Sequence, residues 1–122
     1  MMEREFIGLM GKLSCQFQEE GDVLIAAAGG KADLHTSREL GKILRAYLER
    51  GRTRILLDLG ELEYLDSSTL AQLLEAQKKA RSEGGGLKLV NPQKQPREVL
   101  EVSGFLNIFE IYDDREKAIN SF

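Results

Sequence analysis

The chain has 122 residues, of which 42% are hydrophobic and 30% charged, and its formal net charge is -3. This length supports one domain with one hydrophobic core. One cysteine and one histidine are too few for a structural zinc site or an internal disulfide, and no apolar run approaches the roughly 20 residues of a membrane span. The first residues lack the pattern of a signal peptide, and 17 basic against 20 acidic residues favour no nucleic-acid partner. We therefore expect a soluble, cytoplasmic domain.

An extension and a β-hairpin are predicted at the start of the chain. Residues 1–12, in which glycines interrupt the apolar side chains, are expected to form an N-terminal extension ahead of the domain. Residues 13–18 alternate apolar with polar side chains, which is the period of a half-buried strand. Residues 19–22 have turn composition, and residues 23–28 are apolar on both faces. The second strand of this hairpin is therefore expected to lie inside the sheet.

Strands and helices are predicted to alternate along the rest of the chain. Apolar residues at helical spacing predict a first helix over residues 36–50, capped by Thr36 or Ser37 and ended by Gly51. A buried strand is predicted at 54–59, a second helix at 69–83 and a further strand at 87–90. A short helix opened by Pro96 follows at 96–104, then an edge strand at 108–111 and an apolar tail at 118–122. This order predicts an α/β fold with a mixed, mostly parallel β-sheet flanked by helices.

A search for enzyme signatures finds no catalytic site. Gly29-Gly30-Lys31 lacks the first glycine and the final hydroxyl residue of a phosphate-binding loop, and Gly84-Gly85-Gly86 follows a helix instead of a strand. Cys15 falls on the inward face of a strand, where a buried small hydrophobic residue is expected. His35 has no second histidine or cysteine nearby and fits a loop or cap role. We predict no enzyme activity, metal or cofactor, since a small enzyme or nucleotide-binding protein would depend on the two glycine motifs alone.

Residues 66–69 are different, because four capping-type residues stand in a row between the buried strand and the second helix. One of Asp66, Ser67, Ser68 and Thr69 is enough to cap the helix, so capping leaves hydroxyl groups without a role. A helix N-terminus stabilises a phosphate, which adds about -1.5 to -2 charge at pH 7. Acidic residues precede the serines, whereas residues 38–54 carry six basic and two acidic side chains. A negative rim beside a basic helix fits a docking face, although charged runs are more often simply solvated.

Four motifs occur in a fixed order along nearly the whole chain. Residues 30–36 form a loop before the first helix, and Leu57-Asp58-Leu59 is followed by Asp66-Ser67-Ser68. Residues 84–92 and 99–105 complete the series. Together these motifs resemble the STAS domain family, whose name joins sulphate transporters and anti-sigma factor antagonists. The resemblance covers about residues 13–119, which we take as the STAS domain.

The resemblance implies a regulator that works by partner switching. In the family's bacterial antagonists, the unphosphorylated protein binds an anti-sigma factor that is also a serine kinase, and this frees the sigma factor for transcription. The kinase then phosphorylates a serine of the antagonist, which dissociates, and a serine phosphatase resets the cycle. By position that serine is Ser67, with Ser68 beside it, and the implied partner-binding residues are Asp33, Asp66, Ser67, Ser68 and Thr69. Such a protein is the substrate of both enzymes and catalyses nothing itself.

One residue departs from the family pattern. Thr69 stands where the family usually has glycine after the two hydroxyl residues. Glycine tolerates unusual backbone angles and close approach, and threonine restricts both, so whether phosphorylation is impaired stays open. The alternative function is that of an unphosphorylated scaffold or an interaction module of a sensory or lipid-transport complex. Formation of a homodimer is also left open.

Overall fold

In a computed structural model of the protein, residues 3–7 and 12–122 are described. Within them, six strands form one sheet in chain order: β1 (Glu3–Ile7), β2 (Leu13–Glu20), β3 (Val23–Ala32), β4 (Arg54–Leu65), β5 (Gly86–Val90) and β6 (Ile111–Tyr112). The helices are α1 (Leu34–Glu49), α2 (Ser67–Ser82), α3 (Lys94–Val102) and α4 (Arg115–Asn120), and a 3-10 turn spans Phe105–Asn107.

The sheet is mixed. Strand β2 pairs antiparallel with β1 and β3, whereas β3, β4, β5 and β6 are parallel to one another. The parallel pairings follow from helical crossovers, since a chain must return past the sheet before it can add another parallel strand. The predicted α/β class, with a mixed and mostly parallel sheet flanked by helices, is confirmed.

Residues 3–7, inside the predicted extension, form an edge strand that the sequence pattern does not reveal. The backbone of β1 pairs with β2 in a register that places Glu3 opposite Gln18 and Ile7 opposite Ser14. An edge strand obtains its hydrogen bonds from the backbone of its neighbour, so it needs no alternation of apolar and polar side chains. The predicted extension also includes residues 1–2 and 8–11, which lie outside the described residues.

The two faces of the sheet are buried differently. The larger core lies between one face and α1, α2 and α3, and leucines of β3, β4 and β5 in it are at most 2% exposed. On the other face, a smaller cluster joins Ile25, Leu56 and Val90 to Ala118 of α4. Because α1 and α2 each follow one of two neighbouring parallel strands and share a face, their N-termini emerge at the same edge of the sheet.

Strand β4 runs six residues beyond the predicted end at Leu59 and carries the chain directly to Asp66. Its second half stays paired with the end of β3 through register shifts between Ala27 and Gly29 and between Gly30 and Lys31. The added residues include the buried side chains of Leu62 and Leu65. Irregular pairing of this kind depends on the neighbouring strand, so local periodicity cannot show it.

The helices begin earlier than predicted. They start two residues ahead of the predicted positions 36, 69 and 96, at Leu34, Ser67 and Lys94. The predicted cap of α1 is wrong, because Asp33 caps this helix and Thr36 and Ser37 lie within its first turn. Aspartate is one of the preferred capping residues. Because Asp33, Thr36 and Ser37 are all of capping type, the sequence does not show which of them caps the helix.

The predicted edge strand is present, but its bounds of 108–111 are wrong, since β6 comprises only Ile111–Tyr112. Gly104, with a φ of 81°, ends the region of α3 and begins the 3-10 turn. Phe109 then packs into the larger core at 3% exposure, and the strand starts only at Ile111. The apolar run therefore supplies core packing first and sheet pairing afterwards.

Candidate functional site

The N-termini of α1 and α2 lie together at the carboxyl ends of β3 and β4. Ala32 and Leu65 are partners across these parallel strands, and the residue after each is an aspartate. Asp33 and Asp66 both have extended backbone conformation and cap the helix that follows. The fold therefore brings the two predicted acidic site residues to one edge of the sheet, although they belong to separate sequence motifs.

Asp33 is held by a capping box and an ion pair. Its carboxylate accepts hydrogen bonds from the backbone N–H groups of His35 and Thr36, both at 3.1 Å, and its own N–H donates to Thr36 Oγ1 at 2.9 Å. Lys12 Nζ lies 3.2 Å from Asp33 Oδ2. The backbone hydrogen bond from Thr36, followed by those from Lys12 and the Thr36 hydroxyl, lowers the pKa of Asp33 to about 2. Asp33 thus presents a negative charge at neutral pH.

Asp66 organises the first turn of α2. Its Oδ1 accepts hydrogen bonds from the backbone N–H groups of Ser68 at 3.1 Å and Thr69 at 3.2 Å. The hydroxyl group of Ser68 also donates to this oxygen, and Thr69 Oγ1 lies 3.3 Å from it. One carboxylate oxygen therefore contacts two side chains of the predicted site and caps the helix start.

The three consecutive hydroxyl residues have three different environments. Ser67 is exposed, and its hydroxyl group has no hydrogen-bond partner among the described residues. Ser68 is half-buried, and besides its bond to Asp66 its Oγ lies 3.3 Å from Ser37 Oγ on α1. Thr69 is 1% exposed and donates to the carbonyl oxygen of Ala32 at 2.9 Å. Only Ser67 of the three offers an accessible hydroxyl group that no contact in the described residues engages.

Thr69 was among the partner-binding residues implied by the family resemblance, but its side chain is buried beneath the surface. Its hydroxyl group ties the first turn of α2 to the end of β3, and its backbone lies in the helix, where no positive φ is required. The residue can therefore affect a partner through the position of Ser67 and Asp66 and not by direct contact in this conformation. Position 69 needs no glycine for its own backbone geometry.

Two exposed apolar side chains accompany this region, and the sequence reasoning missed both. Leu34, at the first position of α1, is 48% exposed. Tyr64, two residues before Asp66, is 39% exposed. Both flank the paired strand ends Ala32 and Leu65. Each was placed inside a predicted loop, where periodicity gives no information about exposure.

Cys15 and His35 have the environments expected from the sequence. Cys15 is fully buried on the inner face of β2, and this burial raises the pKa of its thiol to about 12. A thiol of this kind is a packing residue at neutral pH. His35 is exposed in the first turn of α1, where its backbone N–H donates to Asp33.

The glycine motifs do not form a phosphate cradle. Gly29 and Gly30 lie within β3, and the N–H groups of residues 84, 85 and 86 donate to the carbonyl oxygens of Arg81, Ala80 and Thr53. Backbone donors of the second motif are therefore already engaged. In the described part of the chain, no cluster of three His, Cys, Asp or Glu residues could hold a metal ion. No helix there has the length and apolar character needed to span a membrane.

Sequence comparison gives one family and a group of related proteins. The family model described as "Mlab, STAS domain" matches residues 15–110. A candidate anti-sigma factor antagonist of Bordetella bronchiseptica, BtrV, is 37% identical over 100 residues, which are 82% of this chain and 86% of that protein.

Structural comparison, like sequence comparison, finds similarity to anti-sigma factor antagonists. A candidate anti-sigma factor antagonist of Thermotoga maritima, TM1081, superposes with a TM-score of 0.81 at 25% identity, covering 86% of this chain and 91% of that one. The Bacillus cell fate determinant SpoIIAA, solved in its phosphorylated form, shares the fold with a TM-score of 0.71 at 22% identity, covering 88% and 97% of the two chains.

Proposed function

This chain belongs to the STAS domain family, and from that membership and the geometry at the start of α2 we propose that it is an anti-sigma factor antagonist controlled by phosphorylation of Ser67. In this proposal the unphosphorylated protein binds an anti-sigma factor that is also a serine kinase. The kinase transfers the γ-phosphoryl group of ATP to Ser67 Oγ, which loses its proton, and ADP leaves. A serine phosphatase hydrolyses the phosphate ester and restores binding.

The observation that carries the proposal is the exposed, unengaged hydroxyl group of Ser67. A kinase needs a hydroxyl group that can enter its active site without first breaking contacts within the substrate. Ser68 would have to give up its bond to Asp66 and its contact with Ser37. Thr69 would have to leave the interior. Relatives named as anti-sigma factor antagonists and the phosphorylated form of SpoIIAA support regulation by phosphorylation as the class of function.

A phosphate on Ser67 would change the charge of this surface where a partner binds. It adds about -1.5 to -2 charge at pH 7. The carboxylates of Asp66 and Asp33 already stand at the N-termini of the two helices. Desolvation and like-charge repulsion would then weaken the complex, and about 1.4 kcal/mol lowers the affinity tenfold. A modest electrostatic penalty is therefore sufficient for partner switching.

Thr69 is compatible with this function. Its side chain points inward to Ala32, so a kinase that approaches Ser67 does not meet it. The departure from the family's glycine therefore leaves Ser67 exposed, and it adds an anchor for the helix start.

Binding of variants to the anti-sigma factor kinases of the same genome tests the proposal. We expect wild type and Ser67→Ala to bind with equal affinity and Ser67→Asp to bind at least tenfold more weakly. Ser68→Asp is not a matched control, because Ser68 is half-buried. Asn120→Asp adds the same negative charge at an exposed position on α4 and is expected to bind like wild type. Equal binding by Ser67→Ala and Ser67→Asp would contradict the switch and favour the unphosphorylated interaction module.

A further inference from the structure

Helix α1 presents a row of exposed side chains that the proposed switch does not use. Leu34, Arg38, Lys42 and Arg45 recur at intervals of four, four and three residues, which places them on one face of the helix. All four are exposed, and Leu34 is 48% exposed. We call the three cations the basic stripe, with Leu34 at its head. The stripe extends over about 10 Å at 1.5 Å per residue.

No ion pair within the described part of the chain engages the cations of the basic stripe. The ion pairs of the described residues involve other cations, namely Lys12, Arg52, Lys79, Lys88, Arg97 and Arg115. Within the described chain, no hydrogen bond or ring contact engages Arg38, Lys42 or Arg45. The nearest acidic groups by position are Glu39, three residues before Lys42 on α1, Glu49, one turn after Arg45, and Glu75 of α2, which lines the same groove as Arg45. Within the described chain, none of the three is within ion-pair distance of the stripe.

The basic stripe is continuous with the candidate site. Ser37 of α1 contacts Ser68 of α2 at 3.3 Å, so the two helix starts adjoin. One turn further along, the absence of a side chain at Gly41 lets Gln72 of α2 pack against α1. A partner that covers Ser67 therefore has α1, with Leu34 and then the cations, immediately beside it.

The surroundings favour a protein partner over a polyanion. The molecule has a net charge of -3, so a nucleic acid or an anionic membrane meets overall repulsion. Three cations match a local acidic patch better than a long phosphate backbone. The exposed Leu34 at the head of the stripe offers apolar contact area to a protein partner, and the charges beside it set orientation.

We infer that Leu34 and the basic stripe form a second contact region for the anti-sigma factor kinase, opposite an acidic patch on that partner. This inference rests on the proposed function and names the chemistry of the partner's surface. The stripe accelerates association through electrostatic attraction. It also sharpens release, because a phosphate on Ser67 would lie at the head of the stripe and face the same acidic patch.

Association kinetics of two matched charge reversals test the inference. Lys42→Glu/Arg45→Glu alters the stripe, and Arg54→Glu/Lys117→Glu makes the same charge change at exposed positions at the start of β4 and on α4. We expect the stripe variant to associate with the anti-sigma factor kinase about tenfold more slowly at low salt, and this deficit to shrink at high salt. The control variant is expected to stay within twofold of wild type, with the circular dichroism of both variants unchanged.

The outcomes separate this inference from the proposed function. If Ser67→Asp fails to bind but the stripe variant associates like the control, the switch stands and the stripe inference is overturned. If the two double variants slow association equally, the effect is one of net charge and the inference is likewise overturned. Stripe-dependent binding to duplex DNA or to phosphatidylglycerol vesicles instead of the kinase would overturn it in favour of a polyanion site. If wild type binds no kinase, the proposed function and the inference both fail.

Discussion

At the scale of single residues, the start of α2 is decided by contacts that reach across the fold. Asp66 fixes Ser68 and Thr69 from within the same turn, and such a cap can be read from sequence. The burial of Thr69 depends on the carbonyl oxygen of Ala32, which belongs to another strand. Sequence alone therefore located the group of hydroxyl residues and placed Ser67 by family resemblance, but could not show which of the three is free.

The hydroxyl group of Thr69 is expected to stabilise the fold. Thr69→Val keeps the shape and the branched side chain but leaves the buried Ala32 carbonyl without this donor, which costs about 1–2 kcal/mol of unfolding free energy. Urea unfolding followed by circular dichroism measures it. Ser67→Ala, at an exposed position on the same turn, is the control and is expected to change stability by less than about 0.5 kcal/mol. A Thr69→Val effect no larger than this control would contradict the anchoring role.

Asp33 is expected to make stability depend on acidic pH. Its pKa is about 2 in the folded protein and 3.8 as the ordinary value, so the folded state favours the charged form. The resulting stabilisation is complete above about pH 4 and is lost as the pH falls towards about 2. Asp33→Ala should therefore be less stable than wild type at pH 7, with a difference that shrinks as the pH falls from 4 to 2. A difference that is independent of pH in urea titrations would show that charge is not the cause.

At the scale of secondary structure, the site depends on how strand ends and helix starts are joined. Alternation and helical spacing predicted most elements, because their buried faces are regular. They missed β1, and they ended β4 at Leu59, since these pairings are decided by the neighbouring strand. The continuation of β4 to Leu65 is what carries Asp66 level with Asp33.

Substitution of two glycines by alanine tests the packing of strands and helices around the site, and the two substitutions are expected to change stability differently. Gly30 has a φ of 90°, and a Cβ there would lie 2.1 Å from the carbonyl oxygen of Lys12, so Gly30→Ala is expected to destabilise the fold by about 2 kcal/mol or more. At Gly41 a Cβ would meet only the end of the flexible Gln72 side chain, which can move. Because alanine favours a helix interior by about 1 kcal/mol over glycine, Gly41→Ala is expected to be neutral or stabilising. Thermal unfolding compares the two, and equal losses would contradict the geometry.

At the scale of the whole molecule, charge is unevenly distributed over the surface. The net charge is -3, and phosphorylation of Ser67 would change it to about -4.5 to -5 at pH 7. The added charge would fall at the joint N-termini of α1 and α2, beside two aspartates and at the head of the basic stripe. In the sequence these cations are part of a longer basic run, and only the helix shows that three of them share one exposed face.

The central claim is that Ser67 is the phosphorylated residue, and site mapping tests it most directly. The protein is incubated with the anti-sigma factor kinase that binds it and with ATP, and fragmentation mass spectrometry locates the phosphate. We predict one phosphate on Ser67 in wild type and none on Ser67→Ala. Phosphate on Ser68 or Thr69, or no phosphate on wild type while a known substrate of the same kinase is modified, would contradict the account.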